Sequence, residues 1–184
     1  MSESLERAKR PANAVLAGPY GHPFHPILVT VPIGAWVSAL VFDLGSHAVD
    51  DPGYLARGAE WLIAIGIVGA LLAAAIGTLD LLRVPRGTVA FRTGLVHAAL
   101  NVTVVVLYVV NFLWRRGSFD DGTAVSGGQL TLAIVSLAAL GASGYLGGKL
   151  AYHFGVRVAD EQTQREGYQR AGRPSGGTAA VGRS

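Results

Sequence analysis

The chain has 184 residues, of which 51% are hydrophobic and only 15% charged, and its mean hydropathy is +0.40. A soluble domain usually carries about 25% charged residues, so the composition indicates an integral membrane protein. Since the chain contains no cysteine, disulfides, thiolate catalysis and cysteine-ligated zinc or iron–sulfur centres are excluded.

The N-terminal arm, residues 1–20, is charged and then rich in small residues, and we predict that it lies in the cytoplasm. It leads into the motif Gly21-His22-Pro23-Phe24-His25-Pro26, which precedes a long apolar run. Proline favours extended backbone before it and is tolerated in the first turn of a helix. We therefore expect a stiff, non-helical entry that brings His22 and His25 to the membrane surface.

Four apolar stretches follow, at about 26–47, 59–82, 92–114 and 128–154. Each reaches the ~20 residues that a helix needs to cross a bilayer. The predicted fold class is therefore all-α, an integral membrane four-helix bundle over residues 21–158. Residues 159–184 are rich in Gly, Arg, Gln, Thr and Ser, and we predict a disordered cytoplasmic tail.

Glycines on two of these helices predict close helix packing, since small residues let neighbouring backbones approach in membrane bundles. The second helix carries Gly66, Gly69 and Gly77. The fourth carries a longer stripe and is expected to be the most tightly packed: Gly141, Gly144, Gly147 and Gly148.

The distribution of basic residues predicts the orientation. Of the 15 Lys and Arg residues, twelve lie in the N-terminal arm, the second connection and the C-terminal end, and three lie in the other two connections. By the positive-inside rule, both termini are expected in the cytoplasm.

This topology gathers polar residues from all four helices at the cytoplasmic rim of the membrane. The set comprises four of the five histidines, one carboxylate and three arginines: His22, His25, His97, His153, Asp80, Arg83, Arg86 and Arg92. A second polar set, near the outer face, comprises Asp43, His47, Glu60 and Asn111. Asp43 and His47 share a helix face, and we expect a hydrogen-bonded pair at the surface.

Besides the entry motif, the chain carries in order Phe42-Asp43-Leu44, Gly77-Thr78-Leu79-Asp80, Pro85-Arg86-Gly87-Thr88, His97-Ala98-Ala99-Leu100-Asn101 and Gly147-Gly148-Lys149-Leu150-Ala151-Tyr152 with Gly155-Val156. This ordered set of motifs resembles the DUF2231 family of predicted bacterial membrane proteins. The resemblance covers about residues 20–158 and implies four helices in a bacterial inner membrane. Some relatives are joined to a Rieske iron–sulfur domain, which implies electron transfer for them alone. The chain departs from the family's pattern near its end. Lys149 stands where a histidine is frequent in the family, and His153 is one place away from the position where the family usually has an aromatic residue or a histidine.

The rim favours a redox cofactor, because membrane helix bundles hold haem through histidines on facing helices. For haem b, His25 and His97 are the best ligand pair, His22 or His153 the reserve ligand, and Arg86 with Arg92 the partners of the propionates. A non-haem iron, zinc or copper would instead use His22, His25, His97 and Asp80. Such a protein would pass electrons to a quinone or a redox partner protein.

Other functions remain open. In a cofactor-free scaffold or partner subunit, the histidines would hydrogen-bond to Asp80 and Asn101, and Asp80 would pair with Arg83 or Arg92. If a cofactor is bound, Asp80 would instead accept a hydrogen bond from a histidine ligand and orient its ring. A transporter or channel needs polar residues across the membrane. The middle of the predicted helices is almost entirely apolar, which disfavours a pore within one monomer and leaves an oligomeric pore as the alternative. No hydrolase motif is present, and the basic residues do not form a nucleic-acid surface.

Overall fold

The computed structural model describes residues 8–10, 23–118, 123–166 and 168, and within these residues the secondary structure is helical throughout, with no strand. Its elements are α1 (Phe24–Leu28), α2 (Thr30–Ser46), α3 (Gly53–Leu81), α4 (Val89–Ser118), α5 (Gly127–Gly148), a π-helical turn (Lys149–His153) and α6 (Glu161–Glu166). Four helical segments are long and apolar enough to cross a membrane: Phe24–Ser46, Gly53–Leu81, Val89–Ser118 and Gly127–His153. The all-α, four-span prediction is confirmed.

The first span is interrupted at Val29, between α1 and α2. Pro32 has no backbone N–H to donate to the preceding turn, and the ladder resumes where Ile33 donates to the carbonyl of Val29 at 3.2 Å. Pro23 is extended, as predicted, but the helix already begins at Phe24. His25 therefore lies within a helical turn and not in a non-helical entry, because a proline at the third position of a helix needs no N–H partner. His22 lies outside the described residues.

The helices form a ring in chain order. Helix α2 packs against α3, α3 against α4, α4 against α5, and α5 closes the ring against α2. The core between them is built around the indole of Trp36, which stacks on the ring of Tyr108 with centroids 4.0 Å apart. Ala39, Ala59, Ile63 and Val104 complete this buried core.

Two of the predicted glycine contacts pack the core of the bundle. The indole of Trp36 lies directly on Gly66, and Val31 lies on Gly69. The prediction for α5 is wrong in part: nothing lies within 4 Å of where a Cβ would stand at Gly141 or Gly144. A run of glycines does not specify which side of the helix faces the bundle, and here two of them face outward.

Chain segments from both termini meet at one end of the bundle. The N–H of Arg157 donates to the carbonyl of Ala8 at 3.2 Å, and Lys9 Nζ lies 3.4 Å from Glu161 Oε1. The predicted disordered tail includes the helix α6. We call this end, which also holds His25, Asp80 and His97, the histidine end. The opposite end, which holds Asp43, Glu60, Arg115 and Gln129, we call the ion-pair end.

Candidate functional site

His25 reaches from α1 to α3 at the histidine end. Its Nδ1 lies 2.9 Å from the carbonyl oxygen of Ala73, and a Cβ at Gly77 would come within 2.9 Å of the imidazole ring. A carbonyl oxygen only accepts hydrogen bonds, so Nδ1 is the donor, and in the neutral ring the lone pair is on Nε2.

His97 makes the corresponding contact between α4 and α5. Its Nδ1 lies 2.8 Å from the carbonyl oxygen of Ser143, and a Cβ at Gly147 would come within 3.1 Å of its ring. Nε2 of His97 lies 3.2 Å from Nδ2 of Asn101, which also donates to Ser143 Oγ at 2.8 Å. Because the Ser143 carbonyl only accepts, the Nδ1 of His97 is the donor, and in the neutral ring the lone pair is on Nε2.

The structure brings these two histidines together across the bundle. The ring centroids of His25 and His97 are 6.4 Å apart, and the ring planes lie at 84° to each other. Histidines that bind metals almost always donate their other N–H to a carbonyl, carboxylate or water, and both rings have that arrangement. Within the described residues, no group of three or more His, Asp or Glu side chains is placed to hold a metal ion. The two imidazoles would therefore form an incomplete ligand set.

Asp80 pairs with a residue that the sequence did not suggest. Its Oδ1 lies 3.0 Å from Nε of Arg157, so the expected pair with Arg83 or Arg92 is wrong. The reason is the chain reversal after α5: the π-helical turn and Gly155, at φ 69°, direct Arg157 back over the end of α3. Arg157 itself has φ 59°, a conformation that costs most residues energy.

At the histidine end, the segment Ala8–Lys9 contacts the segment from Arg157 to Glu161, and we call these contacts the clasp of chain ends. Nη1 of Arg157 donates to the carbonyl of Lys9 at 3.3 Å. The pKa of Glu161 is lowered by hydrogen bonds from its own backbone N–H and from Lys9.

The reserve ligand His153 packs edge-on against Phe154, with ring centroids 4.9 Å apart, and is exposed. The structure thus shows a ring contact of His25 with His97, and places the ring of His153 against Phe154.

The ion-pair end contains a buried charged pair. Arg115 Nη1 and Nη2 lie 2.7 Å from Oδ1 and Oδ2 of Asp43, so the contact is bidentate. The side chain of Asp43 is 0% exposed and that of Arg115 is 4% exposed. Charges this deep within a membrane protein are costly unless paired, and the geometry meets that requirement.

Further hydrogen bonds fix this pair in place. Arg115 Nε donates to Asn111 Oδ1 at 2.7 Å, and Asn111 Nδ2 donates to the carbonyl of Gln129 at 3.0 Å. The hydroxyl of Tyr108, also buried, has no hydrogen-bond partner within the described part of the chain. Three helices, α2, α4 and α5, are therefore joined by one polar network.

The predicted surface pair of Asp43 with His47 is wrong. His47 is exposed, whereas Asp43 is buried and bonded to Arg115, 72 residues away. Sequence reasoning used Arg115 only to predict orientation. Arg115 lies four residues after Asn111 on the inner face of α4, and that spacing was the one available indication that it points into the bundle.

Comparison with known proteins supports the membrane assignment. A family model described as a predicted membrane protein, DUF2231, matches residues 21–160, which include all four spans. No curated protein and no solved structure matches the chain.

Proposed function

Because the chain belongs to the DUF2231 family of predicted membrane proteins, we propose that it acts within the bilayer, binding a redox-active metal through His25 and His97 and serving electron transfer. The proposal covers haem iron and a non-haem ion. Zinc has no redox chemistry, so the electron-transfer role calls for iron or copper, both of which imidazole binds well.

The observation that carries this proposal is the matched contact of the two Nδ1 atoms with backbone carbonyls. Each Nδ1 is bonded to a backbone carbonyl of a neighbouring helix, at 2.9 Å for His25 and 2.8 Å for His97. Both rings are thereby held in orientation with the lone pair on Nε2, which is the form that binds a metal. Metal binding at His97 would displace the contact of its Nε2 with Asn101.

The packing around the rings favours a single ion over haem b. The rings themselves occupy the space beside Gly77 and Gly147, which would otherwise provide room for a porphyrin. Haem would require both rings to move, whereas a single ion would need only the lone pair of each Nε2 atom as a ligand. Asp80 lies at the same end, one helical turn after Gly77, on which the His25 ring packs, and this proximity supports a positioning role.

We propose the orientation from the sequence: the histidine end faces the cytoplasm of a bacterial inner membrane, since the segments rich in Lys and Arg are at that end. The ion would there exchange electrons with a quinone or a redox partner protein. The short distance between the rings, with centroids 6.4 Å apart, supports an exchange at this surface.

The test is the metal content of wild-type protein and of the single variants His25→Gln and His97→Gln. Each is expressed with iron, copper and haem supplied and purified in a mild uncharged detergent. His47→Gln is the matched control, because His47 is exposed at the ion-pair end. Elemental analysis and oxidised-minus-reduced visible spectra are measured on samples whose thermal unfolding shows that they are folded.

We expect near-stoichiometric iron or copper in wild type and in His47→Gln, and at least a tenfold loss in the other two variants. A b-type spectrum with haem lost from both variants would assign haem in place of the ion. Folded His25→Gln and His97→Gln proteins with full metal content would refute the site. Wild type that contains neither haem nor metal would refute the redox function.

A second candidate function is a cofactor-free partner subunit, and the outward-facing glycines of α5 favour it. Gly141 and Gly144 have no neighbour within 4 Å, and helices associate in membranes through such small residues. Crosslinking in native membranes distinguishes the candidates: loss of a crosslinked partner in Gly141→Leu, with no metal in wild type, would support the subunit.

A further inference from the structure

We propose a second binding site, at the connection Leu82–Thr88 and the first turn of α4, for the phosphate group of an anionic phospholipid. Arg86 and Arg92 are its exposed cations, and Arg83 stands beside them in the chain. This site is independent of metal binding, and its test uses protein without added metal.

The two ends of the bundle differ in how their arginines are paired. At the ion-pair end, Arg57 and Arg116 both contact Glu60, at 3.1 and 3.3 Å, and Arg115 contacts Asp43. Every arginine there has a carboxylate partner, so that end has little charge left to offer a lipid headgroup.

The histidine end has the opposite balance. Its carboxylates Asp80 and Glu161 are already bound to Arg157 and Lys9. In the part of the chain that the structure describes, no ion pair involves Arg83, Arg86 or Arg92, and the buried Nε of Arg83 has no hydrogen-bond partner. Guanidinium groups bind phosphate oxygens in a paired geometry, so the exposed side chains of Arg86 and Arg92 can bind a phosphate, whereas the Arg83 Nε is not accessible to it in this structure.

The surface next to these cations indicates that the phosphate belongs to a lipid. Leu82 and Val89, which flank the connection, are 66% and 67% exposed, and Leu79 in the last turns of α3 is 38% exposed. Apolar side chains at this exposure suit acyl chains, while the arginines lie where headgroups are expected. Basic residues between transmembrane helices bind anionic headgroups in this way.

The test is a titration of detergent-solubilised protein with phosphatidylglycerol, and with phosphatidylcholine of the same chains. Bound lipid is counted by native mass spectrometry, and the midpoint of thermal unfolding is followed in parallel. The variant is Arg86→Gln/Arg92→Gln, whose exposed side chains make no hydrogen bond or ion pair within the described residues. The control, Arg116→Gln, removes an exposed positive charge from the ion-pair end and leaves Glu60 in contact with Arg57. Glycerol phosphate is titrated separately.

We expect phosphatidylglycerol, and not phosphatidylcholine, to bind and to raise the unfolding midpoint. Each cation near the surface contributes roughly fivefold to the affinity, so the double variant should bind about 25-fold more weakly and the control within about twofold of wild type. Equal binding of the two lipids, or equal losses in variant and control, would overturn the site. Protection by glycerol phosphate at equal concentration would overturn its assignment to a lipid.

Discussion

Replacement of Asp43 by Asn tests the buried ion pair most directly. The amide has the shape of the carboxylate but no charge, so the guanidinium of Arg115, only 4% exposed, remains charged and buried without a counter-ion. Removing one partner of a buried pair typically costs about 3–5 kcal/mol. For a chain of this size that corresponds to a fall of roughly 6–20 °C in the unfolding midpoint, measured in an uncharged detergent by the near-ultraviolet circular dichroism of the core aromatic rings.

Two further variants make this result specific to the buried pair. Arg116→Gln removes an arginine that is 60% exposed and whose Nη1 lies 3.3 Å from Glu60. Because Glu60 keeps its contact with Arg57 at 3.1 Å, this change should cost at most about 1 kcal/mol. Asp43→Leu with Arg115→Met removes both charges and should recover most of the loss, since apolar replacements of buried pairs are often neutral. If Asp43→Asn were as mild as Arg116→Gln, the pair would not be desolvated as the structure shows, and the reasoning would be refuted.

Three further predictions concern backbone geometry and the clasp of chain ends. Gly66→Ala should destabilise the protein by about 1–3 kcal/mol because the new methyl group meets the indole of Trp36, while Gly34→Ala, which faces open space, should cost at most about 0.5 kcal/mol; equal midpoints in thermal unfolding would contradict this. Arg157→Gly should be more stable than Arg157→Ala by about 1–2 kcal/mol, because both variants lose the contact with Asp80 and only glycine tolerates φ 59° freely. Chemical denaturation measures the difference in the free energy of unfolding, and a more stable alanine variant would contradict the prediction. The pKa of Glu161 is lowered in the folded protein, so its contribution to the stability of the clasp is present above its unfolded pKa and is lost as the pH falls through the lowered value. Protection of the Arg157 amide from hydrogen exchange, corrected for the intrinsic rate, should fall in that pH range. Glu161→Gln should abolish this pH dependence.

The sequence predicted the number and rough location of the spans because lipid imposes that pattern on each helix separately. An apolar run of the right length reads the same whichever neighbours it packs against. The helix ends were less certain: α3 begins at Gly53, well before the predicted residue 59, because the helix continues beyond its apolar part.

The packing partners could not be read in the same way. The contact between Asp43 and Arg115 depends on the rotation of α2 and α4 about their axes, and so does the choice of which glycines of α5 face inward. Periodicity within one helix is weak when lipid and core are both apolar. The neighbourhood of His25 and His97 was predicted from depth alone, whereas their carbonyl partners Ala73 and Ser143 carry no side-chain pattern that identifies them.

The burial of Trp36 against Tyr108 also allows the tryptophan fluorescence of the protein to be divided into a buried and an exposed component. Trp36 is 1% exposed, whereas Trp61 and Trp114 are 67% and 45% exposed on the outer surface. Brominated acyl chains, which quench indole fluorescence on contact, would reach the two outer tryptophans and leave Trp36 emitting. The residual emission would then report on the interior of the bundle alone, in an intact bilayer and without an attached dye.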